Sequence, residues 1–125
     1  MKLLLAVGVG GALGAVARHL FVRAASGMGL LGLPWGTLGV NVLGSLAAGA
    51  FYSLLVERWA AGMEWRALLM TGFLGGFTTF SAFSLESVRL IESGRAGVAA
   101  LNIGANLLLC LAACMLGLAL VRRLA

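Results

Sequence analysis

Hydrogen-bonding side chains recur at four-residue intervals in otherwise apolar stretches of the chain. Thr37, Asn41 and Ser45 form one such series, and Asn102 and Asn106 begin another. Residues four apart lie on one face of an α-helix, and an amide in an apolar environment costs free energy unless it finds a hydrogen-bonding partner. Each series therefore has one of two roles, either hydrogen bonding between helices or a polar track along which a solute moves.

A second pattern, TGFLGGFTTFSAFS, occupies residues 71–84. Each of its adjacent glycines weakens a helix by about 1 kcal/mol relative to alanine, and the β-branched pair Thr78 and Thr79 follows at once. We therefore expect a helix break near residues 75–79. Non-helical backbone at membrane depth persists only where it is buried in protein or lines a cavity. Carbonyl groups freed at such a break could hold a cation, and freed N–H groups an anion.

Two aromatic rings follow the expected break. Phe80 and Phe83 are three residues apart on one helix face, and Ser81 and Ser84 each come directly after one of them. The edges of aromatic rings are electropositive. Such edges can face an anion without binding it as tightly as a fixed charge would, so the segment indicates more than an apolar packing surface.

The composition requires membrane-spanning helices to position these residues. Of 125 residues, 62% are hydrophobic and 10% are charged, against roughly 25% charged in an ordinary soluble domain. A soluble enzyme, a disordered tail and a nucleic-acid-binding module are excluded as first interpretations despite the net charge of +5. Charge-free stretches instead predict an all-α membrane protein with a lipid bilayer around it. Its four helices lie near 3–23, 34–56, 67–90 and 97–121, and they fill residues 1–125 as a single transmembrane domain.

The first predicted helix combines a packing motif with a charge. Gly10 and Gly14 have the GxxxG spacing that is typical of closely packed membrane helices, and Gly72 and Gly76 repeat it in the third helix. Arg18 lies near the end of the first span. Its side chain either extends to the membrane interface or forms an electropositive vestibule that gathers anions.

Lysine and arginine are divided almost evenly between the two membrane faces that these helices predict. One face receives five of them and the other receives four, namely Lys2, Arg58, Arg66, Arg122 and Arg123 against Arg18, Arg23, Arg89 and Arg95. Orientation in a membrane follows an asymmetry of these charges. The near balance predicts dual topology, in which copies insert both ways and pair antiparallel. The alternative is that a bias of one charge suffices to set a single orientation.

Three segments together resemble the Fluc (CrcB) family of fluoride channels. They are GGALGAVAR at residues 10–18, GTLGVNVLGS at 36–45 and GGFTTFSAFS at 75–84. The order of these segments and the length of the chain match the family over essentially the whole sequence. The resemblance implies an antiparallel homodimer of four-helix subunits in the cell (plasma or inner) membrane. Its two pathways, near the subunit interface, would let fluoride leave the cytoplasm.

The resemblance also implies roles for individual residues. Phe80 and Phe83 would be the pore phenylalanines and Asn41 the pore-lining amide, with hydroxyl groups nearby on Thr79, Ser81 and Ser84. The helix break would lend the carbonyls of Gly75 and Thr78 to a structural sodium ion that both subunits share on the dimer axis. The accessory positions are Arg18, Thr37, Glu86, Asn102 and Asn106. Arg18 among them matches the family's vestibule arginine, and Glu86 matches an acidic residue just beyond the signature.

Two departures and two rival functions accompany this interpretation. The family commonly has threonine where this chain has Ala82, and often has tyrosine and serine near the positions of Asn102 and Asn106. A small proton-coupled multidrug exporter would need a titratable carboxylate in mid-membrane, and Glu86, close to a helix end, is the only candidate. A non-transporting membrane subunit would use its polar residues only to join helices. In none of these cases do we expect an enzyme.

Overall fold

The computed structural model describes residues 1–124, and its regular elements are all helical. They are α1 (Lys2–Ala25), α2 (Trp35–Arg58), α3 (residues 63–77), α4 (Phe80–Glu92) and α5 (Ala96–Leu124), with a short 3-10 turn at Leu30–Gly32. Four helices are long and apolar enough to cross a membrane, the third being Met63–Glu92, which combines α3 and α4. This confirms the four predicted apolar helices. Ala125, the last residue of the predicted domain, lies outside the described residues.

The third span changes its helical form along its length. Ala67–Leu74 is a π-helix, and Gly75–Phe77 forms a last α-helical turn. Thr78 (φ −85°, ψ 159°) and Thr79 (φ −152°, ψ 112°) are extended, and α4 starts at the next residue. The Thr79 hydroxyl accepts a hydrogen bond from the backbone N–H of Ala82 at 3.2 Å, so Thr79 caps α4 as serine and threonine commonly do.

α1 packs against α3 through glycines on both helices. A Cβ at Gly10 would overlap the carbonyl oxygen of Leu68, and one at Gly14 would overlap that of Phe73. From the other side, Gly72 faces the carbonyl of Val7 and Gly76 that of Gly11. The predicted GxxxG packing is confirmed at all four glycines.

α2 packs against α5 along most of its length. Gly49 lies against the carbonyl of Cys114, and Gly117 against that of Leu46, so the two backbones come close together here as well. At the end of this pair the Nε of Arg122 donates to Oε2 of Glu57 at 3.0 Å. The ion pair joins α2 and α5 where both helices end.

The buried core is small, and most of the outer surface is apolar. Val40, Leu38, Leu55, Leu74 and Ala99 are buried between the helices. Many large apolar side chains of α1 and α5 are exposed instead, among them Leu4, Leu13, Leu108 and Met115. An exposed apolar surface of this kind suits contact with lipid, because lipid tails are as apolar as leucine.

Candidate functional site

A groove of about 730 Å³ runs along the surface where α3 gives way to α4. α2 and α5 form its other wall. It is lined by Asn41, Gly44, Ser45, Ala48, Met70, Leu74, Gly75, Thr78, Thr79, Phe80, Phe83, Ile103, Asn106, Leu107, Cys110 and Leu111. None of these lining side chains carries a formal charge. The groove therefore offers amide, hydroxyl and backbone groups and aromatic rings to a ligand, in a setting that is otherwise apolar.

Asn41 holds the extended backbone of Thr79. Its Oδ1 accepts from the backbone N–H of Thr79 at 2.8 Å, and its Nδ2 donates to the Thr79 carbonyl at 3.2 Å. The side-chain amide thus pairs with both backbone groups of one residue, as the N–H and C=O of a residue in a neighbouring antiparallel strand do. Backbone groups without partners are costly in an apolar interior, so this pairing stabilises the extended conformation.

The same pairing changes the surroundings of the Gly75 carbonyl. In a continuous helix this carbonyl would accept from the N–H of Thr79, four residues on, but that N–H donates to Asn41. The neighbouring carbonyl of Thr78 accepts from Nη1 of Arg18 at 3.2 Å. The structure therefore places Arg18 beside the Thr78 carbonyl, one of the two carbonyls predicted to hold a cation.

Phe80 and Phe83 lie side by side on the first turn of α4. Their ring centroids are 5.2 Å apart, and the ring planes are tilted by 60°. Phe80 is 78% exposed, whereas Phe83 is half-buried. Both rings line the groove with Asn41 and Thr79, so the structure brings these four predicted residues together.

Of the remaining predicted residues, Gly75, Thr78 and Asn106 also line the groove, and the others lie around it. The Ser81 hydroxyl is 3.3 Å from that of Thr79, and the Ser84 hydroxyl donates to the carbonyl of Phe80 at 2.9 Å. Thr37 is buried and donates to Oε1 of Glu86 at 2.7 Å. Glu86 itself lines a separate cavity of about 340 Å³ near the loop between α1 and α2.

Ser87 is a site residue that sequence reasoning missed. It is buried, its hydroxyl donates to the carbonyl of Phe83 at 2.8 Å, and it accepts from Nδ2 of Asn102 at 3.0 Å. The one available signal was its position, one helical turn after Phe83. Nothing in the local sequence indicated the contact with Asn102, because that residue lies on another helix.

Side chains supply no conventional metal site in the part of the chain that the structure describes. Among residues 1–124, no three His, Cys, Asp or Glu side chains come together as ligands. Oxygen ligands for a hard cation can also be backbone carbonyls. The carbonyls of Gly75 and Thr78 are of this kind. At Gly75 the expected helical donor, the N–H of Thr79, bonds to Asn41 instead.

Comparison with known proteins identifies relatives along nearly the whole chain. The family model described as "CrcB-like protein, Camphor Resistance (CrcB)" matches residues 5–118. A protein of Rhizobium etli (strain CIAT 652) is 48% identical over 95% of each chain. One of Rhodospirillum centenum is 49% identical, covering 98% of this chain and 97% of its own. One of Magnetococcus marinus is 43% identical, covering 93% and 94%. All three are named fluoride-specific ion channel FluC. The chain, whose groove lies within the matched residues, therefore belongs to the CrcB-like family.

Proposed function

We propose that this protein is a fluoride-selective ion channel, which passively conducts fluoride out of the cytoplasm across the cell (plasma or inner) membrane. The observation that carries the proposal is the groove, where Asn41, Thr79, Phe80 and Phe83 meet without a charged side chain. Relatives that share 43% to 49% of the sequence and carry the name fluoride-specific ion channel support the same function.

The lining chemistry suits conduction of a small, strongly hydrated anion. Amide and hydroxyl donors can replace part of its hydration shell at short range, and ring edges offer weak positive potential. Conduction requires binding that is favourable enough for entry but weak enough for exit, spread over several sites. A lysine or arginine in the lining would hold the anion too firmly, and the groove contains neither.

A single chain leaves this groove open, and we propose that a second copy covers it. Phe80 is 78% exposed, and the polar groups of Asn41 and Thr79 border an open surface that would otherwise face lipid. Polar groups facing hydrocarbon are costly. A second copy removes that cost, and the near balance of charges between the two faces favours an antiparallel pair. Two equivalent grooves then give two pores per dimer.

The same dimer would bring two Thr78–Thr79 segments together near its axis. In our proposal the carbonyls of Gly75 and Thr78 from both copies hold a structural sodium ion. Cation binding at the Gly75 carbonyl is supported because its helical donor, the N–H of Thr79, bonds to Asn41 instead. At Thr78 the carbonyl already accepts from Arg18, and its second lone pair remains for a cation. Sodium would supply a fixed positive charge there and would not be transported.

The experiment that tests the function is anion efflux from liposomes containing the purified protein. Vesicles loaded with potassium fluoride receive valinomycin, and an electrode records external fluoride; chloride-loaded vesicles are the control. We expect rapid fluoride release and little chloride release. Absence of fluoride release from well-folded protein would contradict the proposal and favour a non-transporting membrane subunit.

The orientation proposal has its own test. A compartment-specific reporter fused to the C-terminus should give signals from both sides of the membrane, because copies insert both ways. A signal from one side only would overturn dual topology. Adding two lysines beside Arg122 provides the matched control, since a larger bias should shift most copies to one orientation.

A further inference from the structure

One chain of side-chain hydrogen bonds links three helices behind the groove. It starts at the backbone N–H of Thr79, which donates to Asn41. Asn41 donates to Oδ1 of Asn106 at 3.0 Å, and Asn106 donates to Oδ1 of Asn102 at 3.1 Å. Asn102 then donates to Ser87 at 3.0 Å, and Ser87 donates to the Phe83 carbonyl at 2.8 Å. We call this series the amide relay; its side chains are Asn41, Asn106, Asn102 and Ser87.

Every bond of the amide relay points in the same direction. A backbone N–H can only donate and a backbone carbonyl can only accept, so Thr79 and Phe83 fix the orientation of each amide between them. Hydrogen bonds in such a series polarise one another. The two ends of the relay also bracket Phe80, because both lie at the start of α4. The relay therefore ties the ring-bearing turn of α4 to α2 and α5.

Asn102 occupies the middle of the amide relay and does not line the groove. It is fully buried, with 0% of its surface exposed, and it is absent from the lining residues. Its Oδ1 and its carbonyl both accept from Asn106, at 3.1 and 3.0 Å. Both Nδ2 hydrogens of Asn106 are thereby committed to Asn102, which leaves the Oδ1 of Asn106 to accept from Asn41.

We propose that Asn102 is a positioning residue for the conduction pathway, acting through Asn106 on the Asn41 amide and through Ser87 on the turn that carries Phe80 and Phe83. The expected effect on flux rests on the proposed function. The hydrogen-bonded connection between Asn102 and Asn41 does not depend on that function. In this role Asn102 orients other residues of the pathway and does not itself contact the ion.

Selective labelling offers a direct test, because the chain contains three asparagines and all belong to the amide relay. Protein grown with asparagine that carries ¹⁵N only at the side-chain Nδ2 shows just their side-chain amide signals in an NMR spectrum. Ser87→Ala touches neither Asn41 nor Asn106, yet it should shift the signals of Asn102 and also those of Asn41. Ser53→Ala is the matched control, since Ser53 is also buried and bonds to Glu57 instead. Unmoved Asn41 signals in Ser87→Ala would overturn the proposal.

Flux measurements test the functional side. Asn102→Ala should lower fluoride efflux per assembled dimer about tenfold, as expected for losing one hydrogen bond that orients the pathway. If that variant does not assemble, efflux from Ser87→Ala is compared with efflux from Ser87→Thr. Threonine retains the hydroxyl, so Ser87→Thr should conduct fluoride better than Ser87→Ala. Equal efflux from Ser87→Ala and Ser87→Thr would refute positioning. A wild-type protein without fluoride efflux would instead refute the proposed function, and the NMR result would still decide whether the relay couples Asn102 to Asn41.

Discussion

The two sides of the third span are held in different ways. On one side α1 and α3 meet through glycines, with carbonyl groups directly against the Cα positions of Gly10 and Gly14. On the other side, α2 and α5 reach the start of α4 through amides and hydroxyls, among them Asn41 and Asn106. The close backbone contact through these glycines leaves no group free for a ligand. Hydrogen bonds instead place donors beside an open groove, so the side-chain amides of the candidate site lie on the α2 and α5 side.

The largest expected effect concerns the glycine side. Gly14→Ala would place a Cβ against the carbonyl of Phe73, and neither backbone can yield without separating the helices. We expect a loss of about 1–3 kcal/mol or more in the free energy of unfolding, seen as a lower melting temperature and a smaller fraction of assembled protein. Gly8→Ala is the control, because no atom lies within 4 Å of a Cβ there. Equal behaviour of the two variants would contradict the importance of this contact.

The next largest effect concerns the rings in the groove. Phe80→Ile removes an aromatic edge and keeps an apolar side chain, so the proposed dimer should assemble while fluoride efflux falls about two- to tenfold, given about 0.5–1.5 kcal/mol per aromatic contact. Efflux from liposomes measures the change. Leu85→Ile is the control on the same helix, since Leu85 is exposed outside the groove lining. Normal efflux in Phe80→Ile would refute the pore assignment.

A smaller and pH-dependent effect is expected at Asn41. Asn41→Asp removes the donor that serves both Thr79 and Asn106, and it places an ionisable group on the proposed anion path. When the new carboxyl is ionised it should suppress fluoride efflux, and lowering the pH should restore part of the flux by protonating it. Efflux recorded over a pH series, with wild-type protein alongside, gives the measurement. A flux that equals wild type at every pH would return Asn41 to a role in joining helices.

The smallest effect is expected far from the groove, at the ends of α2 and α5. Glu57→Gln replaces the charge that pairs with Arg122, and exposed ion pairs contribute little to stability. We expect a slight decrease in melting temperature at low salt that disappears at high salt, with fluoride efflux unchanged. Glu64→Gln serves as a comparison. A large loss of efflux in Glu57→Gln would show that the two regions are coupled.

Much of the fold follows from hydropathy and charge alone. Apolar stretches bounded by Arg and Glu predicted four helices, and the glycine spacing at Gly10 and Gly14 predicted a close contact that the structure confirms. Local detail followed less well. The glycine pair and the two threonines predicted a break near residues 75–79; within that range Gly75–Phe77 is helical, and Thr78 and Thr79 are the extended residues. The helical turn Gly75–Phe77 packs against α1, which holds it in place. Helix propensity, on which the prediction rested, does not include that contact.

The candidate site was predictable only in part, for a similar reason. Spacing placed Phe80 and Phe83 on one face, and it placed Asn41 in a polar series. The hydrogen bonds between helices could not be predicted, because which amide meets which backbone group depends on how α2, α4 and α5 cross. The bond between Asn102 and Ser87, fifteen residues apart, and the contact of Arg18 with the Thr78 carbonyl belong to this class.

That contact of Arg18 has a consequence for biosynthesis. Its carbonyl partner lies 60 residues further along the chain, and ribosomes add roughly 5–20 residues per second. The guanidinium group therefore leaves the ribosome seconds before its acceptor exists. During that interval the Arg18 side chain has no access to this acceptor, and the hydrogen bond can form only after Thr78 has been synthesised. This hydrogen bond between the first and third spans is thus made only after the second span, Trp35–Arg58, has been synthesised.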